Sequence, residues 1–184
     1  MSTTNDTEVG KLIEIADRLS KVYKTDEKAW EDSPFAWLKT LPSRKSGKAF
    51  ENLVSDWCVG HNFAVSQSPN SEADLVINGI RAEIKGSTLW ASGIYKFQQI
   101  RDQDYKILIC LGVSPLDAHC WVIPKEEVMA WWSENKISSQ HGGKSGSDTA
   151  WLQVNPKEIP EWLQPFGGTL SEGLKSLRAL ITEF

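Results

Sequence analysis

The feature that most constrains the fold of this sequence is an Asn-Gly pair between two short runs of alternating apolar residues. Residues 71–87 read SEADLVINGIRAEIKGS. An Asn-Gly pair in this setting predicts a two-residue β-hairpin turn, because both turn residues need a positive φ. With Asn78 and Gly79 as the turn, the pairing register follows. The opposed pairs are Ile77 with Ile80, Val76 with Arg81, Leu75 with Ala82, and Asp74 with Glu83.

This register separates the side chains of the hairpin into two faces, because side chains alternate along a strand. One face is apolar and carries Leu75, Ile77, Ile80, Ala82 and Ile84. The other carries Asp74, Glu83 and Lys85. Opposed Cβ atoms lie about 4.5–5.5 Å apart, and two carboxylates at that separation repel each other. A divalent cation between them would relieve this repulsion, and Mg²⁺ suits such oxygen ligands best. The alternative is an ordinary solvent-exposed hairpin face.

Asp74, followed by Glu83-Ile84-Lys85 on the next strand, resembles the D…(D/E)xK core of the PD-(D/E)xK nuclease superfamily, which includes many type II restriction endonucleases. The sequence departs from the family name at Ala73, where the family often has Pro. Proline supplies no functional group, so the chemistry is unaffected. The resemblance implies a restriction-endonuclease-like α/β fold, with a mixed central β-sheet flanked by helices.

The resemblance also implies roles for the residues of the motif. Asp74 and Glu83 would hold one or two Mg²⁺ ions, for which Mn²⁺ would substitute, and the Ile84 carbonyl would be a further ligand. Lys85 would orient or deprotonate the attacking water and stabilise charge in the transition state. In the family, a helix before the Asp strand often carries a Glu that joins the metal shell. Glu51 matches that position, although it could equally be a solvated helix flank. The products would be a 5′-phosphate and a 3′-hydroxyl.

Polar residues elsewhere are candidate DNA contacts. Many superfamily members place a Gln on the helix after the xK strand, and either Gln98 or Gln99 fits. Basic residues predicted to contact phosphates are Lys48, at the end of the SRKSGK loop, together with Lys96 and Arg101. Residues 138–149 form a polar loop from which Gln140, His141 and Lys144 could reach base edges or phosphates. The alternatives are solvated helix faces and a flexible hairpin tip.

The remaining elements follow from hydrophobic periodicity and from Pro and Gly positions. Helices are predicted over residues 8–23, 46–59, 96–104, 124–135, with Pro124 at the first position, and 170–181. Strands are predicted over residues 62–68, 105–113, 119–123 and 150–155. His119 on one of these strands is either a ligand or a hydrogen-bonded strand histidine. The chain is expected to be a single nuclease domain, with a helical part at 1–60, a catalytic core at 61–135, and a loop and helix at 136–184.

Composition sets limits on function. The net charge is −4, but residues 35–125 carry ten basic and eight acidic residues, whereas residues 1–34 and 126–184 are each net −3. A local basic cleft on an acidic protein is compatible with DNA binding. The three cysteines have no metal-binding spacing and are expected to be buried thiols. The nine tryptophans either pack the core or line a binding surface. With no signal peptide or transmembrane run, a cytoplasmic location without membrane contact is expected, in a prokaryotic or phage-type host cell.

Together these features predict a Mg²⁺-dependent endonuclease acting on double-stranded DNA, most like a type II restriction enzyme. Cutting both strands of a symmetric site is simplest for a homodimer, and helices 8–23 and 170–181 are the candidate interfaces. Alternatives are a structure-selective repair nuclease or junction resolvase, a non-catalytic DNA-binding module of the same fold, and, more distantly, a protein-interaction domain. The GKAFENL stretch lacks GxxxxGK[ST], which excludes a P-loop.

Overall fold

The computed structural model of the protein describes residues 7–140 and 148–183. The helices in these ranges are α1 Thr7–Lys28, α2 Ala36–Lys39, α3 Ser43–Gly60, α4 Lys125–Ser133 and α5 Leu170–Glu183. The strands are β1 Val65–Gln67, β2 Leu75–Ile77, β3 Ile80–Thr88, β4 Tyr95–Ile100, β5 Ile107–Val113, β6 Ala118–Pro124, β7 Ser138–Ser139, β8 Ala150–Val154 and β9 Gly167–Thr169.

The architecture is a six-stranded mixed sheet flanked by helices, as the sequence predicts. Its strand order is β1-β2-β3-β5-β6-β9, with β3 and β5 parallel and the other neighbours antiparallel. Helices α3 and α5 pack against one face, where Phe50 and Leu177 join the core. On the other face lie α4 and a second, three-stranded sheet of order β4-β8-β7. Strand β9 forms one edge of the central sheet and leads directly into α5.

The predicted hairpin is confirmed with its register. Asn78 and Gly79 have φ values of 48° and 88°, and β2 pairs with β3 as Leu75–Ala82, Val76–Arg81 and Ile77–Ile80. The backbone of Asn78 donates to the Ala64 carbonyl, and its side-chain oxygen accepts the Ala64 N–H at 2.7 Å. The apolar face of the hairpin is buried against α3. The turn therefore also ties β1 to the hairpin.

Most other predicted elements are confirmed, with shifted ends. All residues of β5 are buried, as expected for a strand covered on both faces. Helix α3 begins at Ser43, so the predicted SRKSGK loop forms its first turns instead. Pro42 precedes it as the N-cap, and the Arg and Lys that follow are good helix formers. Pro124 is likewise the N-cap of α4. The helix therefore begins at Lys125, one residue after the predicted start.

The predicted helix at residues 96–104 is wrong, because this segment contains strand β4. Tyr95 and Phe97 are buried at the two-residue spacing of a strand and pair with β8. The register then shifts between Phe97 and Ile100, where Gln99 has a φ of 56°. This extra residue places the next buried side chain three positions after Phe97. A spacing of three matches a helix, so the bulge imitates helical periodicity in the sequence.

Helix α3 is positioned on β3 by a contact between an aromatic ring and a glycine. A Cβ atom on Gly86 would lie 1.9 Å from Cγ of Phe50, so only glycine admits the ring at this distance. Phe50 is 2% exposed. The contact brings the neighbouring Glu51 into the same cleft as Asp74.

Gly86→Ala and Gly47→Ala should change stability in opposite directions. The first forces the Phe50 ring to move, and overpacking of this kind costs about 1–3 kcal/mol. The second adds a Cβ that meets no atom within 4 Å in a helix interior, where Ala is favoured over Gly by about 0.8–1.0 kcal/mol. Urea unfolding of both variants measures the difference. Equal or parallel effects would contradict the proposed contact.

Candidate active site

The candidate site lies where β2 ends and β3 continues without it. Strand β2 pairs only with Ile80–Ala82, so the rest of β3 has a free edge on that side. The Asp74 carboxylate replaces the missing strand partner at one position of this edge, because its Oδ2 accepts a hydrogen bond from the Ile84 N–H at 2.8 Å. The N–H and C=O of one strand residue point to the same side. The Ile84 carbonyl therefore faces the same edge as Asp74.

A cleft of about 520 Å³ opens at this edge. Its ionisable lining consists of three lysines and two carboxylates: Lys39, Lys85, Lys96, Glu51 and Asp74. The remaining lining residues are Leu38, Leu41, Ser43, Ser46, Gly47, Phe50, Ile84, Gly86, Ser87, Thr88, Trp90, Gln98 and Gln99. The cleft is thus mostly polar, with a small excess of positive charge.

The three motif residues are close together, as the hairpin register predicts. Continuing the observed pairing by one residue places Asp74 opposite Glu83. Lys85 Nζ lies 2.6 Å from Glu83 Oε1, and the Glu83 side chain is 7% exposed. Burial raises the pKa of Glu83, Lys85 opposes this rise, and the neighbouring Asp74 adds to it. Glu83 is therefore a desolvated carboxylate beside a second one, with a single lysine to offset them.

Glu51 is half-buried on α3, with its side chain 21% exposed. Its Oε2 lies 2.7 Å from Lys48 Nζ, which also donates to Gln67 Oε1 at 2.9 Å. Lys48 thus directs its charge toward Glu51 and joins α3 to β1. Lys48 itself is not among the residues that line the cleft.

Within residues 7–140 and 148–183, no three His, Cys, Asp or Glu side chains stand close enough to bind a metal ion together. The available donors are the Asp74–Glu83 pair and the Ile84 carbonyl at the open edge. A site with two carboxylates and otherwise water fits Mg²⁺, which keeps several of its own waters and uses one or two carboxylates. The burial of Glu83 next to Asp74 fits a cation as well, since a positive charge there offsets both carboxylates.

The other predicted contacts fall into three groups. Lys96, Gln98 and Gln99 line the cleft, from strand β4 rather than from a helix. Arg101 is exposed beyond the end of β4 and is not part of the lining. The side-chain oxygen of Gln140 is engaged within the protein: Oε1 accepts hydrogen bonds from the Thr149 hydroxyl at 2.6 Å and from Trp151 Nε1–H at 3.3 Å. His141 and Lys144 lie outside the described residues.

Two further predictions concern residues away from the cleft. His119 is a hydrogen-bonded strand histidine, with Nδ1 3.0 Å from the Tyr95 hydroxyl and its ring stacked on Trp121. The three cysteines are buried, as predicted, and burial raises the pKa of the Cys58 thiol to about 12. The cysteines therefore belong to the core, and the His119 ring is engaged within the protein.

Several cleft residues escape sequence reasoning: Lys39, Ser43, Ser46, Ser87, Thr88 and Trp90. Ser87 and Thr88 directly follow the Glu83-Ile84-Lys85 motif, so continuation of the same strand is the one signal that could have found them. The serines of α3 are brought in by the Phe50–Gly86 contact. Trp90 was one of nine tryptophans with no feature in the sequence to distinguish it.

No family model matches the sequence, and a search of curated proteins gives no match. Among solved structures, the chain is similar to a bacterial homing endonuclease, I-Ssp6803I, at 12% identity and a TM-score of 0.47. The likeness covers 77% of this chain and 96% of that one. It is too distant to carry an argument about this protein. None of the helices in the described part of the chain has the length and apolar character needed to cross a bilayer.

The raised pKa of Glu83 predicts a pH-dependent gain in stability for Glu83→Gln. The folded protein holds this proton more tightly than the unfolded chain, whose Glu pKa is 4.5. The unfolding free energy of the metal-free protein therefore falls as pH rises above that value. Glu83→Gln removes this loss, so its melting temperature should exceed that of wild type at pH 8 and the difference should vanish below pH 4.5.

Glu134→Gln is the matched control. Glu134 and Lys136 form an ion pair of the same sequence spacing at 2.7 Å, but their side chains are 54% and 44% exposed. This variant should melt like wild type at both pH values, because exposed pairs contribute little. A Glu83→Gln shift of equal size at pH 4 and pH 8 would contradict the burial argument.

Proposed function

We propose that this protein is a Mg²⁺-dependent endonuclease of the PD-(D/E)xK type that hydrolyses phosphodiester bonds in double-stranded DNA. The observation that carries the proposal is the meeting of Asp74, Glu83 and Lys85 at the open edge of β3. A buried carboxylate next to a second carboxylate stabilises no fold by itself, because both desolvation and repulsion oppose it. It does suit a cation that arrives with the substrate.

Asp74, Glu83 and the Ile84 carbonyl would hold the cation, and Glu51 would complete its ligand shell directly or through water. Bound there, Mg²⁺ would lower the pKa of a coordinated water and neutralise phosphate charge. Asp74 is held in place by the Ile84 N–H, so its carboxylate keeps one orientation. Glu51 is held by Lys48 in the same way. These hydrogen bonds position the two acids without the metal.

Lys85 would act on the phosphate and on the attacking water. Its side chain is 19% exposed and its ammonium lies against Glu83. From there it can donate to a non-bridging phosphate oxygen and stabilise the charge that develops on it. Lys39 and Lys96, which line the same cleft, would contact neighbouring phosphates. The lysines therefore serve both binding and the reaction.

A type II restriction enzyme cuts both strands at a symmetric sequence, and a homodimer provides the two sites this needs. Of the two candidate interface helices, α5 packs on β6 and β9 of its own sheet and buries Leu177. Helix α1 instead exposes Val9, Leu12, Ile13, Ile15 and Leu19 by 36–64%. In α1, positions 9, 12, 16 and 19 follow the alternating three- and four-residue spacing of a heptad seam. We therefore assign the interface to α1 of a second copy.

The first test of this function is metal-dependent cleavage of plasmid DNA. Wild type should cut with Mg²⁺ or Mn²⁺ and stop in excess EDTA, because the carboxylate pair cannot act alone. Lys85→Ala should lower the rate at least about 100-fold, which is the lower end of the contribution of a positioned proton-transfer group. Asp74→Ala and Glu83→Ala should abolish cutting.

Lys106→Ala is the control for Lys85→Ala, because Lys106 is exposed beside the same sheet and does not line the cleft. It should cut at the wild-type rate. Undiminished cutting in EDTA, or by Lys85→Ala, would reject the proposed chemistry. Binding without any cutting would identify a DNA-binding module of the same fold.

The dimer is tested with the double variant Leu12→Glu and Leu19→Glu. Charges on the heptad seam should give a monomer in sedimentation. Both residues are exposed in the single chain, so that monomer should remain folded. Leu116→Glu is the control, since Leu116 is 83% exposed outside α1 and should leave the dimer intact. A wild-type protein that is monomeric both free and on DNA would reject the interface. Nicking of single strands would then favour a repair nuclease.

A further inference from the structure

Trp90 occupies a position in the cleft that packing does not explain. It lies in the turn between β3 and β4, and it exposes 47% of its surface while lining the same cleft as Asp74 and Lys85. Its backbone is held in place, because its N–H donates to the Ile94 carbonyl at 3.0 Å and its own carbonyl accepts the Gly93 N–H at 2.8 Å. Gly93 has a φ of 76°, which closes the turn. The ring is therefore presented from a defined turn.

The indole ring is accompanied by a cation. Lys96 Nζ lies 3.8 Å from the centre of the Trp90 ring. The Lys96 N–H donates to Ser87 Oγ at 3.0 Å, which ties β4 to β3 next to the motif strand. An aromatic ring and an ammonium thus stand together at one cleft wall. Aromatic rings stack on nucleobases, and cations bind the phosphates between them.

The distance from the reaction centre suits one DNA strand. A strand rises about 3.4 Å per residue, so the five residues from Lys85 to Trp90 span at most about 17 Å. One strand of B-DNA advances 3.4 Å per nucleotide. A base at Trp90 would therefore lie within about five nucleotides of the phosphate at Lys85.

We propose that Trp90 and Lys96 form a nucleotide-binding subsite, in which Trp90 stacks on an unstacked base of the cleaved strand and Lys96 binds its phosphate. This inference rests on the proposed function, since it takes the cleft to hold DNA. Bases inside a duplex have no free face, so the base must leave the stack, as in enzymes that flip nucleotides. The protein thus distorts duplex DNA near the cut and binds single strands through Trp90.

The test compares the affinity for a short fluorescein-labelled single strand with that for its fully paired duplex, by anisotropy in EDTA. Trp90→Ala should weaken single-strand binding about 5- to 150-fold, the range reported for loss of one base–aromatic stack. It should weaken duplex binding by a smaller factor, because the cost of unstacking a paired base offsets part of the stacking energy. Trp90→Phe should retain most of the single-strand affinity.

Trp37→Ala is the matched control, because Trp37 is also 47% exposed but does not line the cleft. It should leave both affinities unchanged. Lys96→Met should weaken the binding of both probes and reduce the salt dependence of that binding. Three results would overturn the subsite. They are a Trp90→Ala variant with wild-type affinity for the single strand, an equal loss of affinity for both probes in that variant, and the same loss of single-strand affinity in Trp37→Ala.

This experiment separates the subsite from the proposed hydrolysis. Trp90-dependent single-strand binding by a wild type that never cuts in Mg²⁺ would retain the subsite and reject the nuclease. If wild type cuts DNA but single-strand binding does not depend on Trp90, the nuclease is retained and the subsite is rejected. Melting temperatures of the three tryptophan variants should match wild type, as expected for exposed side chains.

Discussion

The two-residue turn at Asn78 and Gly79 is the constraint on which the site depends. A slip of one residue in the hairpin would exchange its two faces. The apolar residues that now pack against α3 would then lie on the opposite face, and Asp74 and Glu83 would no longer be opposed. The positive φ at both turn residues and the hydrogen bond from the Ala64 N–H, just before β1, to Asn78 Oδ1 exclude that slip. The geometry of the charged residues is therefore a consequence of the turn.

Burial of the charged face of the hairpin costs folding free energy. Glu83 is buried next to Asp74, with Lys85 as its ion-pair partner. Stability alone would favour an apolar pair at these positions. The short length of β2 leaves the adjacent edge of β3 open, so Asp74 and Lys85 border a polar cleft. A buried Glu83 beside an Asp74 and a Lys85 that are accessible from the cleft is an arrangement typical of functional sites rather than of core packing.

The cleft combines three elements that are separate in the sequence. The hairpin supplies Asp74 and Lys85, α3 supplies Glu51 through the Phe50–Gly86 contact, and β4 supplies Lys96 beside Trp90. Each element is held by a different interaction: a turn, an aromatic ring on a glycine, and a serine hydroxyl that binds the β4 backbone. The proposed reaction and the proposed nucleotide subsite use different walls of this one cleft.

The sequence by itself determined the hairpin, its register, the buried strand β5 and the opposition of Asp74 and Glu83, because these depend on neighbours in the chain and on strict two-residue alternation. Only the tertiary structure decided that residues 95–100 form a strand, since the bulge at Gln99 gives the spacing of a helix. It also decided which tryptophan borders the cleft. Exposure depends on residues distant in the sequence, and no local pattern separates Trp90 from a tryptophan of the core.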